Sequence, residues 1–116
     1  MDIDTRSLGF ELTPALARHV EERVGAALSQ AAGRVTRVTV RLDDVNGSRG
    51  GVDKRCRVVV TLDRHRTAVV SVTHEDLYAA VDEAARTTWR TVQRALTRHV
   101  RRERLDPQRP GALVAP

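Results

Sequence analysis

The chain has 116 residues, of which 41% are hydrophobic, so it fits one domain with one core. No apolar run reaches the roughly 18 residues of a membrane span, and the N-terminus lacks the basic start and apolar stretch of a secretory signal. The single cysteine excludes an internal disulfide framework. These features predict a cytoplasmic protein that contacts no membrane.

The net charge of +5 is unevenly distributed along the chain. Residues 1–53 hold seven arginines against eight acidic residues, whereas residues 54–116 hold thirteen basic residues against seven acidic ones. The surplus of positive charge therefore lies in the second half of the chain. Such segregation indicates a polyanionic partner better than the total charge does.

The first half of the chain predicts a strand, a helix and a second strand. Residues 2–7 fit a short strand, and Thr13 followed by Pro14 fits a helix N-cap with proline in the first helical position. Apolar residues then recur at helical spacing until Gly33, which we expect to end the helix. In residues 34–45, apolar and polar side chains alternate, which is typical of a strand with one solvated face.

The second half predicts two more strands and a long helix. Turn-forming residues in "NGSRGG" separate the second strand from a third over 54–62, and "DRHR" connects that strand to a fourth over 67–73. Thr73 is the expected cap of the second helix, with Asp76 three residues later. Residues 105–116 are rich in Pro and Gly, so we assign 1–104 to the domain and 105–116 to a disordered tail.

The resulting order is β-α-β-β-β-α. Each helix has one apolar stripe, so both are expected to pack on one face of a four-stranded sheet. The predicted fold class is therefore α+β, with an arrangement like that of double-stranded-RNA-binding domains.

The second helix has an apolar face and a basic face. One stripe is apolar, and its members are Tyr78, Val81, Ala85, Trp89, Val92, Leu96 and Val100. The opposite side carries what we call the arginine row: Arg86, Arg90, Arg94, Arg98 and Arg101. Like charges at i,i+4 spacing repel one another, so the row costs helix stability unless an anion meets it. Guanidinium groups bind phosphate oxygens well, so we favour a row that contacts nucleic acid over a row that faces only solvent.

Three segments of the sequence together carry a resemblance to a known family: "LTPALARHVEERV", "VTRVTVRLDDV" and "HEDLYAAVDEA", the last of which opens the basic helix. They resemble the ribosome hibernation promoting factor family, also described as ribosome-associated inhibitor or sigma-54 modulation proteins. The resemblance covers roughly residues 1–102 and is to the short, single-domain form. It implies the same β-α-β-β-β-α fold.

The resemblance implies a ribosome-binding function without chemistry. Such proteins bind small-subunit ribosomal RNA in the groove used by mRNA and tRNA, and they hold ribosomes inactive under stress or in stationary phase. The implied partner is thus the small ribosomal subunit, with no cofactor and no small-molecule substrate, and we expect a monomer in solution. The implied RNA-binding residues are Arg86, Arg90, Arg94, Arg98, Arg101 and Arg102 on the second helix, and Arg18 and Arg23 on the first. Lys54 is a further candidate, because the connection over residues 46–55 could bring it to RNA together with Arg49 and Arg55.

Other sites in the sequence favour structural roles. Tyr78 could stack on a base, but its place in the apolar stripe favours the core, as does that of Trp89. "NGSRGGVDKR" lacks the glycine before lysine that a phosphate-binding P-loop requires. The four histidines show no metal-ligand spacing, and Cys56 lies among inward-facing valines, which indicates a buried, inert thiol. We therefore predict no catalytic and no metal-binding residues.

Two other hypotheses account for the charge. The first is a generic binder of structured RNA, since a similar sheet-and-helices arrangement serves that purpose. The second is a regulator whose basic helix docks on an acidic protein partner.

Overall fold

The computed structural model describes residues 1–44, 53–63 and 66–105, with side chains up to residue 98. The elements are β1 (Asp2–Leu8), α1 (Pro14–Leu28), a 3-10 helix (Ser29–Arg34), β2 (Val35–Asp44), β3 (Lys54–Leu62), β4 (Thr67–His74) and α2 (Leu77–Leu105). The predicted order β-α-β-β-β-α is confirmed.

The four strands form one mixed sheet in the order β1-β2-β3-β4. β1 runs parallel to β2, whereas β2, β3 and β4 pair antiparallel. Val40 lies opposite Val58, which in turn lies opposite Val70, so apolar side chains from neighbouring strands share one face. Burial of this aliphatic face beneath α1 and α2 forms the core and confirms the predicted α+β class.

The other face of the sheet is not covered by the helices. Arg41 and Arg57 lie opposite each other there, and Arg37 lies four residues before Arg41 on the same strand. All three side chains are exposed. The sheet therefore has an aliphatic face towards the helices and a polar, arginine-bearing face on the other side.

Both helices differ in one terminus from the prediction. α1 ends at Leu28, not at Gly33, because Ser29 caps it through the Ala26 carbonyl and a 3-10 helix with buried Ala31 follows. At the start of α2, Thr73 is still paired in the sheet, so it is not the cap. Asp76 takes that role, since the Tyr78 amide donates to its Oδ1 at 3.2 Å.

An ion-pair cluster fixes α2 to the end of the sheet. Asp63, after β3, accepts hydrogen bonds from Arg34 Nε at 2.6 Å and from Arg66 Nη2 at 3.0 Å. Arg66 Nη1 also donates to the Ala95 carbonyl in α2 at 3.2 Å. The Arg34 hydrogen bond, and then that of Arg66, lower the pKa of Asp63. This contact holds the middle of α2 against the β3–β4 connection.

Candidate nucleic-acid interface

The core-facing side of α2 fixes the direction in which its arginines point. Val81, Ala84, Thr88 and Val92 are fully buried against the sheet and α1. Thr88 is accommodated there because its hydroxyl donates to the Ala84 carbonyl at 2.6 Å. With this side buried, the residues of the arginine row must lie on the solvent side of the helix.

The described members of the arginine row are all exposed. They are Arg86, Arg90, Arg94 and Arg98. Among the residues that the structure describes, none of the four lies within 4.0 Å of a carboxylate. Consecutive members are one helical turn apart, a rise of about 6 Å. The row thus presents a line of positive charge that is not neutralised within the described part of the domain.

The remaining α2 candidates, Arg101 and Arg102, lie within the helix bounds. Their side chains are outside the described residues. The predicted tail, 105–116, begins with the last residue of the helix, Leu105, and its other residues are also outside the described part of the chain.

The two α1 candidates have different surroundings. Arg18 is exposed, and no ion-pair partner lies among the residues described. Arg23 Nε donates to Asp82 Oδ1 at 3.0 Å, although 57% of its side chain is exposed. His19 Nε2 also lies 2.8 Å from Asp82 Oδ1. Asp82 therefore links α1 to α2 and brings Arg23 beside the start of the arginine row.

Lys54 is separate from the arginine row. It lies at the end of the sheet near the start of α2, where its Nζ contacts Asp44 at 2.9 Å and buried Asp53 at 3.2 Å. The hydrogen bond with Asp44, helped by that with Asp53, raises the pKa of Lys54 and keeps it charged. Because two carboxylates share its ammonium group, Lys54 contributes less free positive charge than the row does.

A buried carboxylate holds two more arginines on the open face of the sheet. Asp43 is 4% exposed and accepts hydrogen bonds from Arg41 Nε at 3.2 Å and Arg55 Nε at 3.1 Å. Burial alone would raise the pKa of Asp43, but the hydrogen bonds and charges of Arg55 and Arg41 outweigh it and lower the pKa. Arg55 is therefore committed to an internal ion pair, and Arg49, in the preceding loop, is outside the described residues.

The two aromatic residues of α2 are not interior. Tyr78 is 40% exposed, so its predicted core position is wrong. Its ring packs on the ring of His19, with 4.9 Å between the two centroids. Trp89 is half-buried: it packs against the core and also lines a groove between α1 and α2. Sequence periodicity missed this groove, because it depends on how α1 lies beside α2.

The remaining predictions from sequence concern the cysteine, metal ligands and membrane spans. Cys56 is fully buried, which confirms the predicted burial of this thiol, and that burial raises its pKa to about 12. The part of the chain that the structure describes contains no cluster of three or more His, Cys, Asp or Glu residues suited to a metal ion. No helix in the described ranges is both long and apolar enough to cross a membrane.

Comparisons with known proteins agree with this architecture. The model of a family described as sigma 54 modulation protein / S30EA ribosomal protein matches residues 3–102. No curated protein sequence matches the chain. Among solved structures, a ribosomal subunit interface protein from Coxiella burnetii superposes with a TM-score of 0.73 at 15% identity, covering 84% of this chain and 99% of that one. The N-terminal domain of Protein Y from Thermus thermophilus superposes with a TM-score of 0.62 at 23% identity, covering 81% of this chain and 94% of that one. At these identities the structural likenesses show the fold.

Proposed function

The chain belongs to the sigma 54 modulation protein / S30EA ribosomal protein family, and from this premise we propose that it is a translation inhibitor that binds small-subunit ribosomal RNA. Membership of the family indicates a ribosome-associated factor that modulates translation. The finer proposal is that the domain occupies the groove used by mRNA and tRNA and holds ribosomes inactive under stress or in stationary phase.

The single observation that carries this proposal is the exposed arginine row. Four described guanidinium groups lie in line on a helix whose other side is buried in the core, so the charges are held in a fixed array. Phosphates of an RNA groove provide the anions that such an array lacks within the described domain. The charge alone does not identify the RNA, and membership of a ribosome-associated family supports the choice of ribosomal RNA.

The proposed mechanism is steric exclusion. α2 has 29 residues, which corresponds to a length of about 43 Å at 1.5 Å per residue. A helix of this length in the decoding groove occupies space that mRNA and tRNA require. Inhibition then needs neither nucleotide hydrolysis nor RNA cleavage, and the proposed action takes place in the cytoplasm, where ribosomes work.

Cell-free translation tests the mechanism. Inhibition should saturate near one protein per ribosome, and excess mRNA and initiator tRNA should relieve it by competing for the groove. A matched pair of variants separates charge position from total charge: Arg90→Glu with Arg94→Glu on the row, and Arg37→Glu with Arg57→Glu on the open sheet face. Only the first pair should abolish inhibition. Undiminished binding of initiator tRNA to a subunit already saturated with the protein would refute the exclusion mechanism.

A further inference from the structure

α1 and α2 lie side by side and leave an open groove between the end of α1 and the first half of α2. Its volume is about 690 Å³, within the range of roughly 300–1,000 Å³ found for small-molecule sites. Three alanines line it: Ala26 and Ala27 from α1, and Ala85 from α2. Because methyl groups reach only a short distance, the two helices do not close the space between them.

Trp89 gives this groove an aromatic wall. Its indole packs partly against the core, which fixes its position, and the rest of its surface lines the groove. A fixed indole beside small apolar side chains suits a flat aromatic ligand, since stacking on aromatic side chains is how proteins hold unpaired bases.

The rim of the groove is basic. Arg86 and Arg90, two members of the arginine row, line it from α2, and Arg23 lines it from α1. Asp82 lies at one end, where His19 Nε2 and Arg23 Nε approach its Oδ1 at 2.8 and 3.0 Å. An aromatic wall next to guanidinium groups matches the two parts of a nucleotide, a flat base and a charged phosphate.

We infer that this groove binds one unpaired nucleobase of an RNA strand, stacked on Trp89, with the adjoining phosphates on Arg86 and Arg90. The inference rests on the proposed function, because RNA lying along the arginine row passes the mouth of the groove. It adds a specificity element that charge cannot provide: the row binds any phosphate backbone, whereas the groove requires a base that is free of pairing.

The single tryptophan of the chain makes the inference directly measurable. Fluorescence excited at the red edge of the absorption band, where Tyr78 does not absorb, reports on Trp89 alone, and stacking of a base on the indole should quench it. The full chain is titrated with a single-stranded RNA of eight nucleotides, with the same strand made abasic throughout, and with a mononucleotide. Quenching is expected with the intact strand only.

Variants test the two walls of the groove. Trp89→Leu should weaken binding of the intact strand by about 5- to 150-fold, the effect of losing one stacked base, while Trp89→Phe should retain most of the affinity. Ala26→Leu fills the groove without changing charge or the tryptophan, and it should prevent quenching. Ala15→Leu, an exposed position on α1 that does not line the groove, is the matched control and should behave as the wild type. Circular dichroism checks that each variant folds.

Three results would overturn the inference: equal quenching by the abasic strand, equal quenching by the mononucleotide, or quenching unaffected by Ala26→Leu. The second result would identify a site for a free nucleotide instead. Sedimentation with ribosomes, followed in parallel, separates this inference from the proposed function. A chain that sediments with ribosomes without any change in its emission loses the groove inference but keeps the function. If RNA quenches the emission but the chain never sediments with ribosomes, the groove inference is kept and the proposed function is lost.

Discussion

The salt dependence of ribosome binding provides a quantitative test of the arginine row. Each phosphate contact should contribute a slope of about −0.7 to −0.9 to a plot of log affinity against log salt, because the bound cation displaces counterions. The four described arginines of the row therefore predict a slope of about −2.8 to −3.6. Between 50 and 200 mM salt, affinity should fall by roughly 50- to 150-fold.

Neutralising two of the four arginines should halve the slope of this plot. With Arg90→Gln and Arg94→Gln, the slope should shrink to about −1.4 to −1.8, so that the same change in salt weakens binding only by about 7- to 12-fold. Glutamine has a helix propensity similar to that of arginine but carries no charge.

The assay is filter binding of labelled protein to purified small subunits over a series of potassium chloride concentrations at constant magnesium. The matched control, Arg37→Gln with Arg57→Gln, removes the same charge from the exposed sheet face and should leave the slope near the wild-type value. Equal slopes for wild type and the Arg90/Arg94 variant, or a loss of slope in the control variant, would refute the assignment of the RNA surface to α2.

The other predictions concern the stability and boundaries of the domain. Because its folded-state pKa is lowered, Asp63 stabilises the fold above the ordinary carboxyl pKa, and this contribution is lost as the pH falls through the folded pKa. The unfolding temperature of the wild type should therefore fall more steeply below about pH 4 than that of Asp63→Asn. Val92→Ala, at a fully buried site, should lower the free energy of unfolding by about 2 kcal/mol in urea denaturation. The Cys56 thiol should react with a disulfide reagent at pH 8 only as fast as the domain opens, which parallel exchange measurements would check. Removing residues 106–116 should leave inhibition of cell-free translation unchanged, and a loss of inhibition would show that the tail takes part.

The fold was predictable because its elements are regular in sequence. Alternation around Val38 and Val58 identifies strands, and the stripe through Val81 and Val92 identifies the buried side of α2. The helix ends were less predictable, since Thr73 and Asp76 are both good caps. Pairing of β4 up to His74 decides between them, and that pairing is a tertiary contact.

The candidate site divides in the same way. The arginine row could be predicted because it depends only on helical periodicity along one element. The groove at Trp89 could not, because it requires α1 and α2 to lie alongside each other with alanines at the contact. The internal ion pairs of Arg23 and Lys54 also come from residues distant in sequence or in neighbouring strands, so charge counting overstated how free these two cations are.

Sedimentation with purified ribosomal subunits tests the central claim most directly. The wild-type chain should travel with small subunits at low salt and not with large subunits alone, and the Arg90→Glu/Arg94→Glu variant should remain at the top of the gradient with an unchanged circular-dichroism spectrum. A wild-type chain that stays at the top of the gradient, or a folded row variant that still travels with small subunits, would contradict the account.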